Sequence, residues 1–139
     1  MADWNELRNF IRANWPSATE DEFGGIRFTF NLQPKGGGTT RSQIVVVSNV
    51  RDTGWAQIAT PVCQEHEIAP RDALIRSASM DFGGLVLYGR ADGHPGIVMF
   101  RHAFWLADLD PAEFQHPLFL SAALGDKLER ELSAGGDIW

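Results

Sequence analysis

Ile44-Val45-Val46-Val47 constrains the fold of this chain more than any other stretch. Successive side chains of a strand point to opposite faces, so four apolar residues in a row put apolar groups on both sides of a sheet. Leu85 to Tyr88 and Ile97 to Phe100 repeat the pattern. An antiparallel strand with one wet face alternates apolar and polar residues instead. Both faces of the sheet that holds these three strands therefore need cover.

The rest of the chain supplies the other elements. Trp4, Leu7, Ile11 and Trp15 recur at helical spacing, with Asp3 placed as N-cap and Pro16 as stop, which predicts a helix over about 4–15. Ile26, Phe28, Phe30 and Leu32 alternate with Arg27, Thr29, Asn31 and Gln33, the period of a strand with one wet face. Lys35-Gly36-Gly37-Gly38-Thr39-Thr40 joins it, as a loose hairpin, to a strand over about 41–50. After the turn Asp52-Thr53-Gly54 a third strand runs over about 55–62, with Pro61 near its end. Pro70 opens a short helix through about Met80, striped by Ala73, Leu74 and Ala78, and Gly83-Gly84 breaks it. A second hairpin, 85–88 and 97–100, turns at Ala91-Asp92-Gly93-His94-Pro95-Gly96. Beyond Pro111 a last helix carries Phe114, Leu118, Leu120, Leu124, Leu128 and Leu132, kinked or split near Pro117 and closed by Gly135-Gly136.

The order α-β-β-β-α-β-β-α predicts an α+β domain with an antiparallel sheet of about five strands. Residues 1–139 read as a single domain with a flexible tail over about 134–139. The two long terminal helices can roof one face, which leaves only the short middle helix for the other. Either the helices and loops of the chain suffice, or a second subunit or bound segment completes the cover. A residual apolar patch above a few hundred Å² marks a contact surface.

Charge narrows the partners. Twelve basic against 18 acidic side chains give a net charge of −6, with no cluster of Lys and Arg. Nucleic acid and anionic membrane surfaces are disfavoured, because both need a positive footprint. Cys63 is the only cysteine, so no internal disulfide forms. Asp3 and Glu6 stand where a signal peptide would carry basic residues, and no apolar run approaches a membrane span. A reducing cytoplasm is the expected location.

Residues that could carry chemistry each have a plainer role. Cys63, Glu65, His66 and Glu67 are all metal-ligand types, but strand spacing puts His66 opposite the others and no paired-cysteine spacing exists. Gly36-Gly37-Gly38 lacks the Lys and the helix opening of a phosphate loop. His102, Asp108 and Asp110 could pair acid with base, yet Asp110 before Pro111 reads as an N-cap and Asp108 as a loop charge. Ser42, Ser48, Ser77 and Ser79 lack a nucleophile-elbow setting. The expectation is no catalytic residue, no metal and no cofactor. Of five tryptophans, Trp4 and Trp15 sit at core spacing and Trp139 ends a Gly-rich tail. Trp55 opens a strand and Trp105 sits in a loop, where large amphipathic side chains anchor partners, so these two are the expected partner contacts.

The element order, with Ile58-Ala59-Thr60-Pro61-Val62-Cys63, Pro70-Arg71-Asp72-Ala73-Leu74, Met80-Asp81-Phe82-Gly83-Gly84-Leu85 and 101–111 (RHAFWLADLDP), resembles bacterial YbjN-like proteins and the wider type III secretion chaperone fold. The resemblance covers most of the chain. It implies a twisted antiparallel sheet, a homodimer, an extended segment of a peptide or protein client as ligand, and no cofactor. A non-enzymatic chaperone or adaptor is thus the leading expectation. The alternatives are a small-ligand sensor or enzyme with a pocket between sheet and helices, using His66 or His102, and an immunity or anti-activator protein with one folded partner.

Overall fold

The computed structural model describes residues 3–22, 24–33, 38, 40–51, 53–90, 92–107 and 109–132. In chain order the elements are α1 (Trp4–Asn14), β1 (Thr19–Glu20), β2 (Ile26–Leu32), β3 (Arg41–Val50), β4 (Trp55–Gln64), α2 (Pro70–Ala78), β5 (Gly84–Tyr88), β6 (Ile97–Trp105) and α3 (Gln115–Leu132). Short 3-10 turns at Glu65–Glu67 and Pro111–Phe114 precede α2 and α3. The strands form one antiparallel sheet in the order β1-β2-β3-β4-β6-β5. The protein is thus α+β, with six strands among the described residues where the sequence predicts about five.

The additional strand is β1, paired through Thr19 opposite Arg27 and Glu20 opposite Ile26. Two residues carry no period, so no pattern could reveal it. Glu20 receives the guanidinium groups of both Arg8 and Arg12, which ties α1 to this edge. β6 also outruns its predicted end at Phe100, because Arg101-His102-Ala103 interrupts the apolar run while the ladder to β4 continues to Trp55 opposite Trp105. Trp105 therefore ends a strand and is not in a loop.

One face of the sheet carries the helices. Leu7 and Ile11 of α1 pack with Phe28 of β2, Val45 and Val47 of β3, Ile58 of β4, and Phe114 and Leu118 at the start of α3. A second cluster joins Val62, Cys63, Phe100 and Leu128, flanked by Met80, Phe82 and Leu85. Each large side chain buried in this way stabilises the fold by about 1.5–3 kcal/mol relative to exposure. Asp3 caps α1, its Oδ1 accepting from the Glu6 N–H at 2.8 Å. Asp110 caps the turn before α3 by accepting from the Ala112 N–H at 3.0 Å. Pro117 occupies the first turn of α3, where its missing N–H removes no bond within that helix.

The middle helix does not cross to the other face. α2 lies against the β5 edge beside α3, joined to it by Arg76 and Glu131 at 3.1 Å. No residue of α2 is buried, and Leu74 of the predicted apolar stripe is 73% exposed. Among the described residues, the second face of the sheet has no helix over it. No helix among the described residues is long and apolar enough to cross a membrane.

A buried polar seam holds α3 to the sheet. Cα pairing of β3 with β4 runs from Val50 opposite Trp55 to Val46 opposite Ala59, and the β4–β6 register shifts between Pro61 and Cys63. Proline has no N–H to give to a ladder, and a bulge is where a central strand tolerates one. Side chains take over beyond Ala59. Thr60 Oγ1 donates to the Ile44 carbonyl at 2.6 Å. Gln43 Nε2 lies 3.0 Å from the Pro61 carbonyl, 2.7 Å from Thr60 Oγ1 and 3.2 Å from Glu129 Oε2 of α3. Asp126 of α3, also buried, pairs with Arg41 at 2.7 Å and Arg130 at 3.3 Å.

Candidate functional site

Two of the surfaces formed by the described residues gather several apolar groups that solvent can reach. The first lies at the β5 edge. Pro70, Ala73 and Leu74 of α2 and Leu85 and Leu87 of β5 line a trough of about 280 Å³, together with Ile68 and Glu65. Leu87 is 56% exposed. The Ser77 hydroxyl accepts from the Leu85 N–H at 2.9 Å, which moors the edge strand to α2. Among the described residues β5 is the last strand of the sheet, so one rail of its backbone faces no other described strand.

The second surface is the unroofed sheet face. Pairing places Ile44, Val46, Ala59, Pro61, Val86 and Met99 on it, and Trp55 and Trp105 at one end. The two indoles are directly opposite each other across β4 and β6, edge to face with centroids 5.1 Å apart, and are 42% and 40% exposed. Gly54, with φ of +77°, turns the chain beneath them; a Cβ there would press on the Trp105 ring at 3.1 Å. The structure thus brings the two expected contact residues together as one aromatic ledge.

The groups weighed for chemistry are engaged elsewhere. Cys63 is fully buried, and burial, with Glu67 nearby as a smaller cause, pushes its thiol up to about 11. Glu67 accepts from the Gln64 N–H at 2.8 Å and Glu65 from the Gly96 N–H at 2.9 Å, so both carboxylates brace the turn into α2. Among the described residues no group of three or more His, Cys, Asp or Glu is placed to hold a metal ion. His102 lies within β6 and not at its end, between the rings of Phe82 and Phe104 at 5.6 and 6.3 Å. Burial holds its imidazole below the ordinary histidine range, against a smaller opposing effect of the Phe82 backbone. Ser42 bonds Asn31, Ser48 receives Gln57 and Ser79 donates to the Arg76 carbonyl. Asp108, Trp139, the 134–139 tail and most of the Gly-rich connector lie outside the described residues.

Sequence reasoning missed the β5 trough, since Leu74 and Ala73 read as a stripe bound for the core. It also missed Gln43, Asp126 and Glu129. The available signal was a glutamine two residues before Val45 at an inward strand position, matched by acids on the inward side of α3.

Fold and surface together define an α+β protein with an open antiparallel sheet that carries, among the described residues, helices on one face only. No family model, curated protein or solved structure matches the chain.

Proposed function

We propose that the protein is a non-enzymatic binding module of chaperone or adaptor type, a cytoplasmic homodimer that holds an extended segment of a peptide or protein client. The observation that carries this reading is the β5 edge with its apolar trough. An incoming strand would add to the part of the outward β5 rail that Ser77 leaves open, through main-chain hydrogen bonds, and alternate side chains would enter the space between Leu74, Leu85 and Leu87. Long bare edges invite uncontrolled pairing; Ser77 already takes one outward N–H, which limits what can dock. The exposed Leu74 and Leu87 have no role in the core, which fits retention for contact. The sequence resemblance to YbjN-like proteins and secretion chaperones supports the same class.

The test is capture of a client from host lysate, with hydrogen exchange on the complex. Slowed exchange at 84–88, with capture abolished by Leu74→Glu or Leu87→Lys at unchanged stability, is expected. Sedimentation should show a dimer that dissociates on dilution. A monomer that captures nothing, together with a metabolite that raises the melting temperature by several degrees, would move the assignment to a small-ligand sensor.

A further inference from the structure

The bare sheet face has a charge pattern opposite to that of the chain. Arg27, Val46, Ala59 and Arg101 are consecutive cross-strand partners on β2, β3, β4 and β6, so they form one row across the face. Among the strand residues on this face these two arginines are the only charged ones, in a chain of net charge −6. Both are exposed and neither forms an ion pair among the described residues. Between them the floor is small and apolar. It is also concave: Gly25 on one side and Tyr88 of the opposite edge strand line a single hollow of about 330 Å³ over Val46, Ala59 and Met99, with the uncharged Ser48 and Gln57 also in its lining. Among the described residues its one lining carboxylate, Asp21, accepts from the Gly25 N–H at 2.8 Å.

A sheet face, unlike a sheet edge, offers no backbone bonds, so what it packs against is a helix or another sheet. Width selects between them. Arg27 and Arg101 stand three strand spacings apart, about 14 Å, and a helix with its side chains is about 10–12 Å across. We propose that this face docks an amphipathic helix of a partner protein, lying along β3 and β4 with its apolar stripe on Val46 and Ala59 and with acidic residues on both flanks of the stripe reaching Arg27 and Arg101. The helix would complete a third layer and turn an open sheet into a two-sided one. This site is separate from the β5 trough, and either can fail without the other.

Two fluorescein-labelled helical peptides of about 18 residues, about 27 Å long, test the proposal by anisotropy on the full chain. They share one Leu/Ala stripe, flanked in one by Glu and in the other by Lys. The Glu-flanked peptide is expected to bind at least tenfold more tightly and to weaken with added salt. Arg27→Glu with Arg101→Glu should reverse the preference, and Arg27→Gln with Arg101→Gln should erase it, whereas Leu87→Lys in the β5 trough should leave it intact. Circular dichroism establishes that the variants are folded. Binding of neither peptide, a preference for Lys flanks, or a preference unchanged in both arginine variants overturns the proposal. So does loss of peptide binding as the protein self-associates, which would assign the face to a second copy.

Discussion

Gly125 of α3 rests directly on Thr60 of β4: a Cβ added at Gly125 would overlap Thr60 Cγ2 and sit 3.0 Å from Thr60 Oγ1. The helix approaches the sheet so closely here because neither partner has bulk to hold it off. The approach lets Glu129, one turn further on, come within hydrogen-bonding distance of Gln43. Helix position, buried polar seam and strand register thus share one contact.

Gly125→Ala should therefore destabilise the protein, although alanine is the better helix former by about 1 kcal/mol. Overpacking of a tight core costs about 1–3 kcal/mol, and a net loss of about 1–2 kcal/mol is expected in urea denaturation. Thr60→Ser removes the clashing methyl and keeps the hydroxyl bond to the Ile44 carbonyl. The double variant Gly125→Ala/Thr60→Ser should recover part of the loss, with a coupling energy of about 1 kcal/mol in a double-mutant cycle. Independent, additive effects would contradict the contact.

Gln43 makes a sharper case, since its amide nitrogen, with two N–H donors, lies within hydrogen-bonding distance of three acceptors. Gln43→Leu keeps the volume and removes the donor that meets Thr60 Oγ1, the Pro61 carbonyl and Glu129 Oε2 in a region without solvent. Taking a buried hydrogen-bond donor away from its acceptors costs about 1–3 kcal/mol. A loss of about 1–3 kcal/mol in equilibrium denaturation is expected for Gln43→Leu. Gln57→Leu, on the opposite face where the amide meets only Ser48 at 3.3 Å, should stay within about 0.5 kcal/mol.

The same residues show where the sequence was legible. The spacing of Trp4, Leu7 and Ile11 gave α1 to within a residue of its end, and the turn formers around the Ile44–Val47 run gave β3 at both of its bounds. Both rest on local periodicity, which the chain states directly. What periodicity cannot state is which side an element takes. α2 has an apolar stripe weak enough to suit an edge as well as a core, so its placement beside α3 depended on Arg76 reaching Glu131 and Ser77 reaching Leu85. In α3 the predicted line through Leu120 and Leu124 is only partly buried; Ser121, Gly125, Asp126 and Glu129 occupy the inward face with Leu118, Ala122 and Leu128. Polar and small residues there are explained by the broken ladder at Pro61, a tertiary circumstance that no single segment reveals. The pairing of Trp55 with Trp105 likewise required the register of β4 on β6, and the facing arginines required the register of four strands.

Cys63 supplies a pH-dependent prediction. Its thiol is raised by burial, and less so by Glu67, from the ordinary value of 9.0 to about 11. Between those values the unfolded chain loses the proton while the native protein keeps it, so the native state binds more protons and stability falls as pH rises. Below about pH 9 the contribution is fully present; through about pH 11 it is lost. A difference of about two pH units corresponds to about 2–3 kcal/mol. Wild type should therefore lose more stability between pH 8 and pH 10.5 than Cys63→Ala does, by about 1–2 kcal/mol in guanidinium denaturation at the two pH values. Independently, a disulfide-exchange reagent at pH 8 should label Cys63 no faster than the protein opens, because the reactive thiolate is scarce and the sulfur is fully buried. Rapid labelling of the native protein, or equal pH slopes for wild type and Cys63→Ala, would mean that the end of β4 is open to solvent.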